Sequence, residues 1–367
     1  MTRAVRVAVV PGDGIGPEVC TAALPLVARA AALDGAHLAC TELDWGGERL
    51  LRTGHAMPED ALDVARAHDA IFFGAVGHPD IAPAVSVWTL VLPLRKALDL
   101  YVNLRPVSAL DGLPGPVAGG PDADFVVVRE NTEGEYSGIG GRLHVGTPAE
   151  VATEVAVHSR RGIARVARYA LALARARGGT LSLVTKSNAL RHGYALWDEV
   201  VGAIAADGFP DVLLECVFVD AMAARIIERP GSLDVLLCSN LFGDILSDLA
   251  APLAGGLGMA PSANLDPEGG APGLFEPVHG SAPDIVGRGI ANPGAAILSG
   301  AMLLDANGCP EGAAGLRRAV AAAVRDGDAR TPDLGGSATT AGAAAAVGGA
   351  LDDALRAAAP SIGAREG

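Results

Sequence analysis

The sequence predicts an α/β protein built on a mostly parallel sheet, because strand and helix signals alternate along it. Apolar, β-branched runs typical of buried strands lie at 5–10, 70–73, 125–128, 181–185, 212–219 and 235–239. Longer helical patterns lie between them, most clearly at 159–177 and 190–206. Strands separated by helices favour parallel pairing. With 367 residues, the chain is long enough for two domains if a domain takes roughly 150 residues.

The first predicted strand ends in a glycine-rich turn, with Gly12, Gly14 and Gly16 ahead of a helical pattern that begins at Glu18. The dinucleotide-binding fingerprint needs its third glycine one residue later, and no acidic residue ends a second strand at the required place. We therefore interpret the glycines as a tight turn that uses their conformational freedom. A contact with a ligand at this edge of the sheet stays open.

Glycine, proline and helical spacing predict the remaining connections. Residues 88–100 have a helical apolar pattern that Pro93 is expected to bend. The stretches 111–121 and 260–273 are rich in glycine and proline and are predicted to be loops. A short loop after Asp333 and an alanine-rich last helix complete the chain.

The composition excludes several classes of protein. A formal net charge of −14 argues against nucleic-acid binding, and no apolar stretch reaches the length of a membrane span. The N-terminus does not resemble a signal peptide. Five scattered cysteines without metal-type spacing fit a reducing cytoplasm and no disulfide framework: Cys20, Cys40, Cys216, Cys238 and Cys309.

The stretch 240–249 places two carboxylates, Asp244 and Asp248, four residues apart in a predicted helix. Residues at this spacing share one helix face, and carboxylates that close repel each other unless a proton or a cation intervenes. A hard divalent ion such as Mg²⁺ accepts one or two carboxylates together with water and substrate oxygens. The spacing indicates either a metal site or a solvated acidic face, and the apolar neighbours Ile245 and Leu246 favour the metal site.

Three arginines stand out in this acidic chain because each lies in or beside a predicted element: Arg95, Arg105 and Arg129. The planar guanidinium forms paired hydrogen bonds with a carboxylate. Three of them could converge on one dicarboxylic acid, although a single surface arginine is usually only solvated. The surrounding motifs decide between these readings.

Four longer strings resemble motifs of the β-decarboxylating dehydrogenases, which include isopropylmalate, isocitrate, homoisocitrate and tartrate/D-malate dehydrogenases. They lie at 129–136, 185–188, 240–248 and 273–285, and the resemblance extends from residue 11 to residue 336. It implies a two-domain isopropylmalate/isocitrate dehydrogenase-like fold that is not the usual Rossmann arrangement. Residues 1–104 and 255–367 would form a discontinuous cofactor-binding domain. Residues 105–254 would form a central domain with the dimer interface and the metal and substrate residues.

The resemblance also implies a role for each of a set of polar residues, in a homodimer whose subunits share their active sites. The substrate carboxylates would be bound by Arg95, Arg105 and Arg129. Protons would be moved by Tyr136 as general acid and by Lys186 as general base, supplied across the dimer. Mg²⁺ or Mn²⁺ would be held by Asp220 of the partner subunit together with Asp244 and Asp248.

The same resemblance places the cofactor. Its positions would be Glu276 near the nicotinamide ribose, the adenosine loop of His279, Gly280, Ser281, Ala282, Pro283 and Asp284, and Asn292 at the adenine. NAD is expected because the carboxylate of Asp284 can accept from both ribose hydroxyls and repels the 2′-phosphate of NADP. NADP-dependent relatives tend to carry Lys-Tyr where Asp284 and Ile285 stand. The other reading of Asp284 is a helix N-cap after Pro283.

Residues 85–95 should line the pocket for the substituent on C3 of the substrate. Trp88 stands where isopropylmalate enzymes carry an acidic residue, and tartrate/D-malate enzymes also have tryptophan there; Thr89 follows it. An indole in this subsite favours a small substituent, although Trp88 could also serve helix packing. We therefore predict NAD- and divalent-metal-dependent oxidative decarboxylation of D-malate or tartrate. The alternatives are 3-isopropylmalate, another 3-substituted malate of specialised biosynthesis, and a non-catalytic regulatory subunit.

Overall fold

Strands and helices alternate along most of the chain in the computed structural model, which describes residues 3–113, 115 and 122–358. The strands are β1 (Arg3–Gly12), β2 (Ala36–Glu42), β3 (Ala70–Ala75), β4 (Val102–Ser108), β5 (Asp124–Glu130), β6 (Gly134–Leu143), β7 (Val151–Val157), β8 (Thr180–Thr185), β9 (Leu213–Phe218), β10 (Val235–Cys238), β11 (Pro261–Leu265) and β12 (Gly273–Pro277). The helices are α1 (Gly16–Ala31), α2 (Gly47–Thr53), α3 (Ala61–Arg66), α4 (Pro83–Thr89), α5 (Val91–Ala97), α6 (Arg160–Arg177), α7 (Gly193–Gly208), α8 (Val219–Glu228), α9 (Asn240–Ala250), α10 (Gly294–Ala306), α11 (Pro310–Asp326) and α12 (Thr340–Ala358).

One large sheet crosses the molecule in the strand order β2-β1-β3-β12-β11-β4-β5-β10-β8-β9, and β6 and β7 form a separate antiparallel pair. The strands from β2 to β12 run parallel to each other, as do those from β5 to β9. Between these halves, β11 and β4 are antiparallel to both of their neighbours. The predicted α/β class is confirmed, and its parallel sheet is interrupted by this antiparallel seam.

Helix α1 illustrates how the local sequence produces the packing. Pro17 lies in its first turn, where a missing amide donor costs nothing. Apolar residues then recur three or four apart, which puts them on one helix face: Val19, Cys20, Ala23, Leu26, Val27 and Ala30. This face packs against α10 and α11 and covers one side of the sheet.

The apolar core consists of three clusters. Two of them take nearly all their residues from 5–100 and 259–351, and the third lies within 101–254. This distribution supports our proposed division into a discontinuous domain and a central domain, with the large sheet running through both. No helix among the described residues is long and apolar enough to cross a membrane.

Two connections differ from the prediction. Residues 261–265, predicted to lie in a loop, form strand β11, because the polar Ser262 and Asn264 face a buried polar network instead of solvent. Part of the other predicted loop, 114 and 116–121, lies outside the described residues.

The helical pattern at 88–100 is broken as Pro93 predicts, although the break lies earlier in the chain. Helix α4 ends at Thr89 and α5 begins at Val91, with Leu90 at φ −132° between them. A proline ring collides with the carbonyl four residues before it in a continuous helix, and for Pro93 that carbonyl belongs to Thr89. The break therefore falls where the ring would meet the preceding turn.

Candidate active site

The register of the central strands brings polar side chains onto one face of the sheet. Asn264 of β11 lies opposite Asn103 of β4, which lies opposite Arg129 of β5. Because alternate residues of a strand share a face, Arg105 lies on the same side of β4 as Asn103. Two arginines from the predicted substrate site are therefore neighbours on rigid strands, and both are buried.

A cavity of about 460 Å³ opens over this face, within the usual size range for small-molecule sites. Its polar lining includes Arg95, Arg105, Arg129, Tyr136, Asp244, Ser262, Glu276 and His279. Its apolar lining includes Val87, Trp88, Val91 and Leu92. The cavity thus gathers residues that lie up to 207 positions apart in the chain, from Phe73 to Gly280.

Arg129 and Arg105 bind the same carboxylate, Asp244. Arg129 Nη1 donates a hydrogen bond to Asp244 Oδ1 and its Nε donates to Asn240 Oδ1 at 2.9 Å, while Arg105 Nη2 lies 3.3 Å from Asp244 Oδ1. Burial, together with repulsion by Arg105, lowers the pKa of Arg129 to about 10, so it stays protonated at neutral pH. Burial alone would raise the pKa of Asp244, but attraction to the two arginines outweighs it and the pKa is lowered.

Arg95 reaches the cavity from α5 and is held by Glu276. Its Nη2 donates to Glu276 Oε1 at 2.6 Å, and the same oxygen accepts from Asn264 Nδ2 at 2.7 Å. Both charged side chains are largely buried, and each provides the counter-charge that the other needs away from water. Arg95 Nε is buried without a partner among the described residues, which leaves a donor for a bound ligand.

Tyr136 is placed to keep its proton. Its hydroxyl donates to Asp244 Oδ2 at 3.1 Å, and its ring lies 5.6 Å from the guanidinium carbon of Arg129. Burial and the nearby Asp244 carboxylate raise the pKa of Tyr136, and Arg129 only partly opposes them. A phenol that holds its proton at neutral pH can serve as a general acid.

Asp244 and Asp248 lie one turn apart on α9; Asp244 lines the cavity, whereas Asp248 does not. Burial and the proximity of Asp244 raise the pKa of Asp248 despite its contact with Arg105 at 3.4 Å. A divalent cation between the two carboxylates would favour their charged forms and supply the hard-ion chemistry that oxygen ligands prefer. The donor set fits such an ion, although no group of three suitable ligands converges within the part of one chain that the structure describes.

Lys186 and Asp220 do not line this cavity. They follow β8 and β9, whose pairing sets Thr185 opposite Phe218, so both lie at the same edge of the sheet. Lys186 Nζ donates to Asp220 Oδ1 at 2.5 Å, and this hydrogen bond lowers the pKa of the carboxyl. The Asp220 side chain is 69% exposed. The structure therefore separates these two predicted residues from the other catalytic and metal positions of the same chain.

The glycine-rich turn packs against the predicted cofactor loop. Ile15 N donates to Ser281 O at 2.9 Å, and a Cβ on Gly14 would lie 2.1 Å from that oxygen. A Cβ on Gly77 would lie 2.9 Å from Ser281 Oγ. Gly12 and Gly14 also have positive φ angles of 68° and 60°. Close backbone approach and left-handed geometry together account for these glycines.

His279 begins the predicted cofactor loop and reaches the cavity. Its Nδ1 lies 2.9 Å from Gly280 O, while its Nε2 is buried without a partner among the described residues. Burial lowers the pKa of His279, so its ring is neutral at neutral pH. With the proton on Nδ1, the Nε2 atom is an unused acceptor, which fits a ligand that carries a hydroxyl, such as a ribose.

Asp284 and Asn292 differ in exposure and in the hydrogen bonds that their side chains make within the chain. Asp284 is exposed in a turn and no helix begins there, so the helix N-cap reading is wrong. Asn292 accepts from Gly294 N at 2.9 Å and donates to Asp333 Oδ2 at 3.0 Å. Its side-chain oxygen thus accepts from the first amide of α10, and a contact with adenine would have to share these groups.

Trp88 lines the cavity, but Thr89 does not. The indole lies 4.8 Å from Lys96 Nζ, and a Cβ on Gly138 would come within 2.9 Å of its Cη2 atom. The Thr89 hydroxyl donates to Val85 O at 2.8 Å within α4. Of the two residues predicted to read the C3 substituent, the structure brings only the tryptophan to the site.

Several residues of the site escaped the sequence prediction. Asn264 and Ser262 were assigned to a loop, although their alternation with small apolar residues is a strand signal. Lys96 donates to the main-chain oxygens of Tyr136 and Ser137. Asp13, in the glycine-rich turn, is buried and accepts from the amides of Gly47, at the start of α2, and Gly77, in the loop after β3. Nothing in their local sequence distinguishes these last two residues.

Comparison with known proteins identifies similar sequences over almost the whole chain. Residues 6–348 match the family described as isocitrate/isopropylmalate dehydrogenase. A probable tartrate dehydrogenase/decarboxylase of Agrobacterium vitis is 48% identical over 342 residues, 92% of this chain and 95% of that protein. A 3-isopropylmalate dehydrogenase of Nocardia farcinica is 47% identical over 332 residues, 90% and 98% of the two chains.

Two further proteins extend the likeness. The D-malate dehydrogenase [decarboxylating] of Escherichia coli is 45% identical over 350 residues, 93% of this chain and 96% of that protein. The crystal structure of isocitrate dehydrogenase from Methylococcus capsulatus matches with a TM-score of 0.86 and 38% identity, covering 95% of this chain and 99% of that one. Identities this close to each other do not select among the substrates that these names carry.

Proposed function

The chain belongs to the isocitrate/isopropylmalate dehydrogenase family and is a decarboxylating hydroxy-acid dehydrogenase, and we propose that it uses NAD and a divalent metal to oxidise D-malate or tartrate. One observation carries the choice of substrate. Three buried arginines face the cavity together with Trp88, which suits a dicarboxylate with a small group on C3.

The arginines supply the attraction for an anionic substrate in an acidic protein. The cavity lining sets Arg95, Arg105 and Arg129 against only two carboxylates, so positive charge is in excess there. Guanidinium groups in a dry site bind carboxylates strongly because little competing water is present. We propose that the dicarboxylate displaces part of the contact between Arg105 or Arg129 and Asp244.

Two of the chain's own groups move protons in this proposal. Lys186 of a second copy of the chain takes the C2 hydroxyl proton, and Tyr136 donates its proton to C3 after carbon dioxide has left. When bound, NAD accepts the hydride from C2 and Mg²⁺ or Mn²⁺ steadies the negative charge that develops on the substrate oxygen. Asp244 and Asp248, with Asp220 of the partner subunit, would hold the metal.

The preference for NAD rests on the adenosine loop, 279–284. Asp284 is exposed there and does not cap a helix. Its carboxylate can therefore accept hydrogen bonds from two ribose hydroxyls and would repel a 2′-phosphate. The unused Nε2 of His279 supports a hydroxyl-bearing ligand at the same loop.

We propose that the protein is a homodimer that acts on a small hydroxy acid in the cytoplasm.

A second candidate substrate is 3-isopropylmalate. The apolar Val87, Val91 and Leu92 lie beside Trp88 in the cavity wall, and they would contact an isopropyl group if the indole moved aside. The isopropylmalate dehydrogenase of Nocardia farcinica is nearly as similar to the chain as the tartrate enzyme. Another 3-substituted malate would use the same wall.

Side-by-side turnover assays test the proposal. NADH formation would be followed with D-malate, L-tartrate, 3-isopropylmalate and isocitrate, each with Mg²⁺ or Mn²⁺, and repeated with NADP and with excess chelator. We expect turnover of D-malate or tartrate with NAD, and its loss with chelator. Reaction of 3-isopropylmalate alone would overturn the argument from Trp88, and full activity with chelator would overturn the metal.

A further inference from the structure

A row of buried hydrogen bonds crosses the antiparallel seam under the cavity. Asn264 is fully buried at its centre. Its Oδ1 accepts from Asn103 Nδ2 at 3.0 Å and from Asn131 Nδ2 at 2.9 Å, and its Nδ2 donates to Glu276 Oε1 at 2.7 Å. Both ends of this single amide are therefore in use.

The row ends on two of the arginines. Asn103 Oδ1 accepts from Arg105 Nε at 2.7 Å, and Glu276 Oε1 accepts from Arg95 Nη2 at 2.6 Å. Arg105 donates to Asn103, which donates to Asn264, which donates to Glu276. All three hydrogen bonds therefore point the same way, from a cation towards an anion. Bonds aligned in this way polarise one another in a low-dielectric interior.

We propose that Asn264 is a positioning residue that fixes the guanidinium groups of Arg95 and Arg105 relative to each other. Arg95 comes from α5 and Arg105 from β4, and no direct contact between them is made. Among the side-chain hydrogen bonds of the described residues, this row is the link between them, so the spacing presented to the two carboxylates of a substrate depends on it. This inference rests on the proposed function, because it assumes a dicarboxylate.

The chemistry of the amide explains why asparagine is needed here. An aspartate of the same shape has no donor for Glu276 when ionised, and two adjacent carboxylates repel each other. A serine keeps a donor but is too short to span both partners. Either change would leave Glu276, and with it Arg95, without its fixed position.

The variants N264D and N264S test the proposal through the KM of the hydroxy acid. At alkaline pH we expect both to raise this KM by roughly tenfold or more, with a smaller change in kcat, because misplaced binding groups weaken substrate capture. As the pH falls, N264D should recover, since a protonated carboxyl donates to Glu276 again, whereas N264S should not. A purely structural defect would lower the active fraction without a pH-dependent KM.

The control is S299A, which alters a fully buried polar residue of α10 that does not line the cavity. It should leave the KM unchanged. A KM within twofold of wild type for both Asn264 variants across the pH range would overturn the proposal while the proposed function stands. If wild type oxidises none of the four acids, calorimetric binding of succinate replaces KM. Weaker binding by N264D then supports the inference, and equal or absent binding in both proteins overturns it.

Discussion

Arg105 and Arg129 are buried, and both find a counter-charge in Asp244, whose side chain is 36% exposed at the cavity. An unpaired buried ion costs several kcal/mol, yet each group here has a counter-charge and neutral hydrogen-bond partners such as Asn240. The arrangement has a functional consequence. Asp244 is shared between the arginines and Tyr136, so any ligand that draws the arginines away also changes the environment of the Tyr136 hydroxyl, the proposed general acid.

Trp88 is the single residue on which the choice of substrate depends most directly. The variant W88L replaces the indole with a smaller side chain and so enlarges the cavity beside Val87 and Leu92. We expect the ratio of kcat/KM for 3-isopropylmalate to that for D-malate to rise by about tenfold or more, since one or two carbon atoms of fit are worth roughly that much. Steady-state assays with both acids measure it.

The matched control is V85A on the same helix, α4. Val85 is exposed and does not line the cavity, and its carbonyl contact with Thr89 is kept. The ratio should stay at the wild-type value. If W88L also leaves the ratio unchanged, the indole does not form the C3 subsite.

At the scale of elements, strand β6 packs against Trp88 in the cavity wall at a glycine, Gly138. Gly138 has φ 81°, and a Cβ there would lie 2.9 Å from the Trp88 ring. The variant G138A should therefore strain the backbone and displace the indole, lowering Tm by a few degrees and shifting selectivity towards larger acids.

A second glycine of β6 provides the comparison. Gly141 has no positive φ and no atom within 4 Å of an added Cβ, so G141A should change neither Tm nor the ratio of kcat/KM values. Equal behaviour of the two variants, by calorimetry and by assay, would show that Gly138 does not set the position of Trp88.

Strand β1 is tied to the start of β3 by an ion pair whose pH dependence has a definite sign. Asp69 accepts from the Arg6 amide at 2.8 Å and from its Nη2 at 2.7 Å, and these bonds lower the pKa of Asp69 below its ordinary 3.8. A lowered folded-state pKa stabilises the protein above 3.8, and the contribution is lost as pH falls through the folded value. D69N should therefore lower Tm at neutral pH, with a difference that closes below 3.8.

Thermal melts of both proteins between about pH 3 and pH 7, in steps of about one pH unit, measure how this Tm difference depends on pH. D207N is the comparison, because Asp207 is an exposed residue of α7 without an ion pair among the described residues. A Tm difference for D69N that is constant across the range would show that the carboxylate charge is not what stabilises the junction.

Elements with long apolar runs are predicted correctly from the sequence, whereas the short alternation of β11 is outweighed by the glycine and proline around it. Strand β10 is apolar throughout and β5 is apolar from Phe125 to Val128, so the residue types alone predict that these segments are buried. In β11 the residues facing inward are Ser262 and Asn264, which read as loop residues unless their buried partners are known. The partner Glu276 on β12 lies 12 residues beyond Asn264, but Asn103 on β4 lies 161 residues before it, so no local pattern contains the whole set.

For the whole molecule, the sequence identified most of the cavity lining because family motifs carry it. Arg129 and Tyr136 lie in one motif, 129–136, whereas Arg95 and Arg105 lie outside the four strings and were assigned through the wider resemblance. The fold brings all four together. What the strings do not contain is the spacing between them. That depends on the antiparallel seam, where the two parallel halves of the sheet meet over β11 and β4.

The position of Lys186 leads to a prediction about the assembly. It lies outside the cavity of its own chain, so we expect each site of a homodimer to combine Tyr136 of one chain with Lys186 of the other. K186M and Y136F should each be inactive, yet unfolding and refolding them together should restore about a quarter of wild-type activity, because roughly half of randomly formed dimers then hold one intact site. Refolding either variant alone is the control. Mixed dimers that are verified by differently tagged chains and remain inactive would mean that each chain builds its site alone.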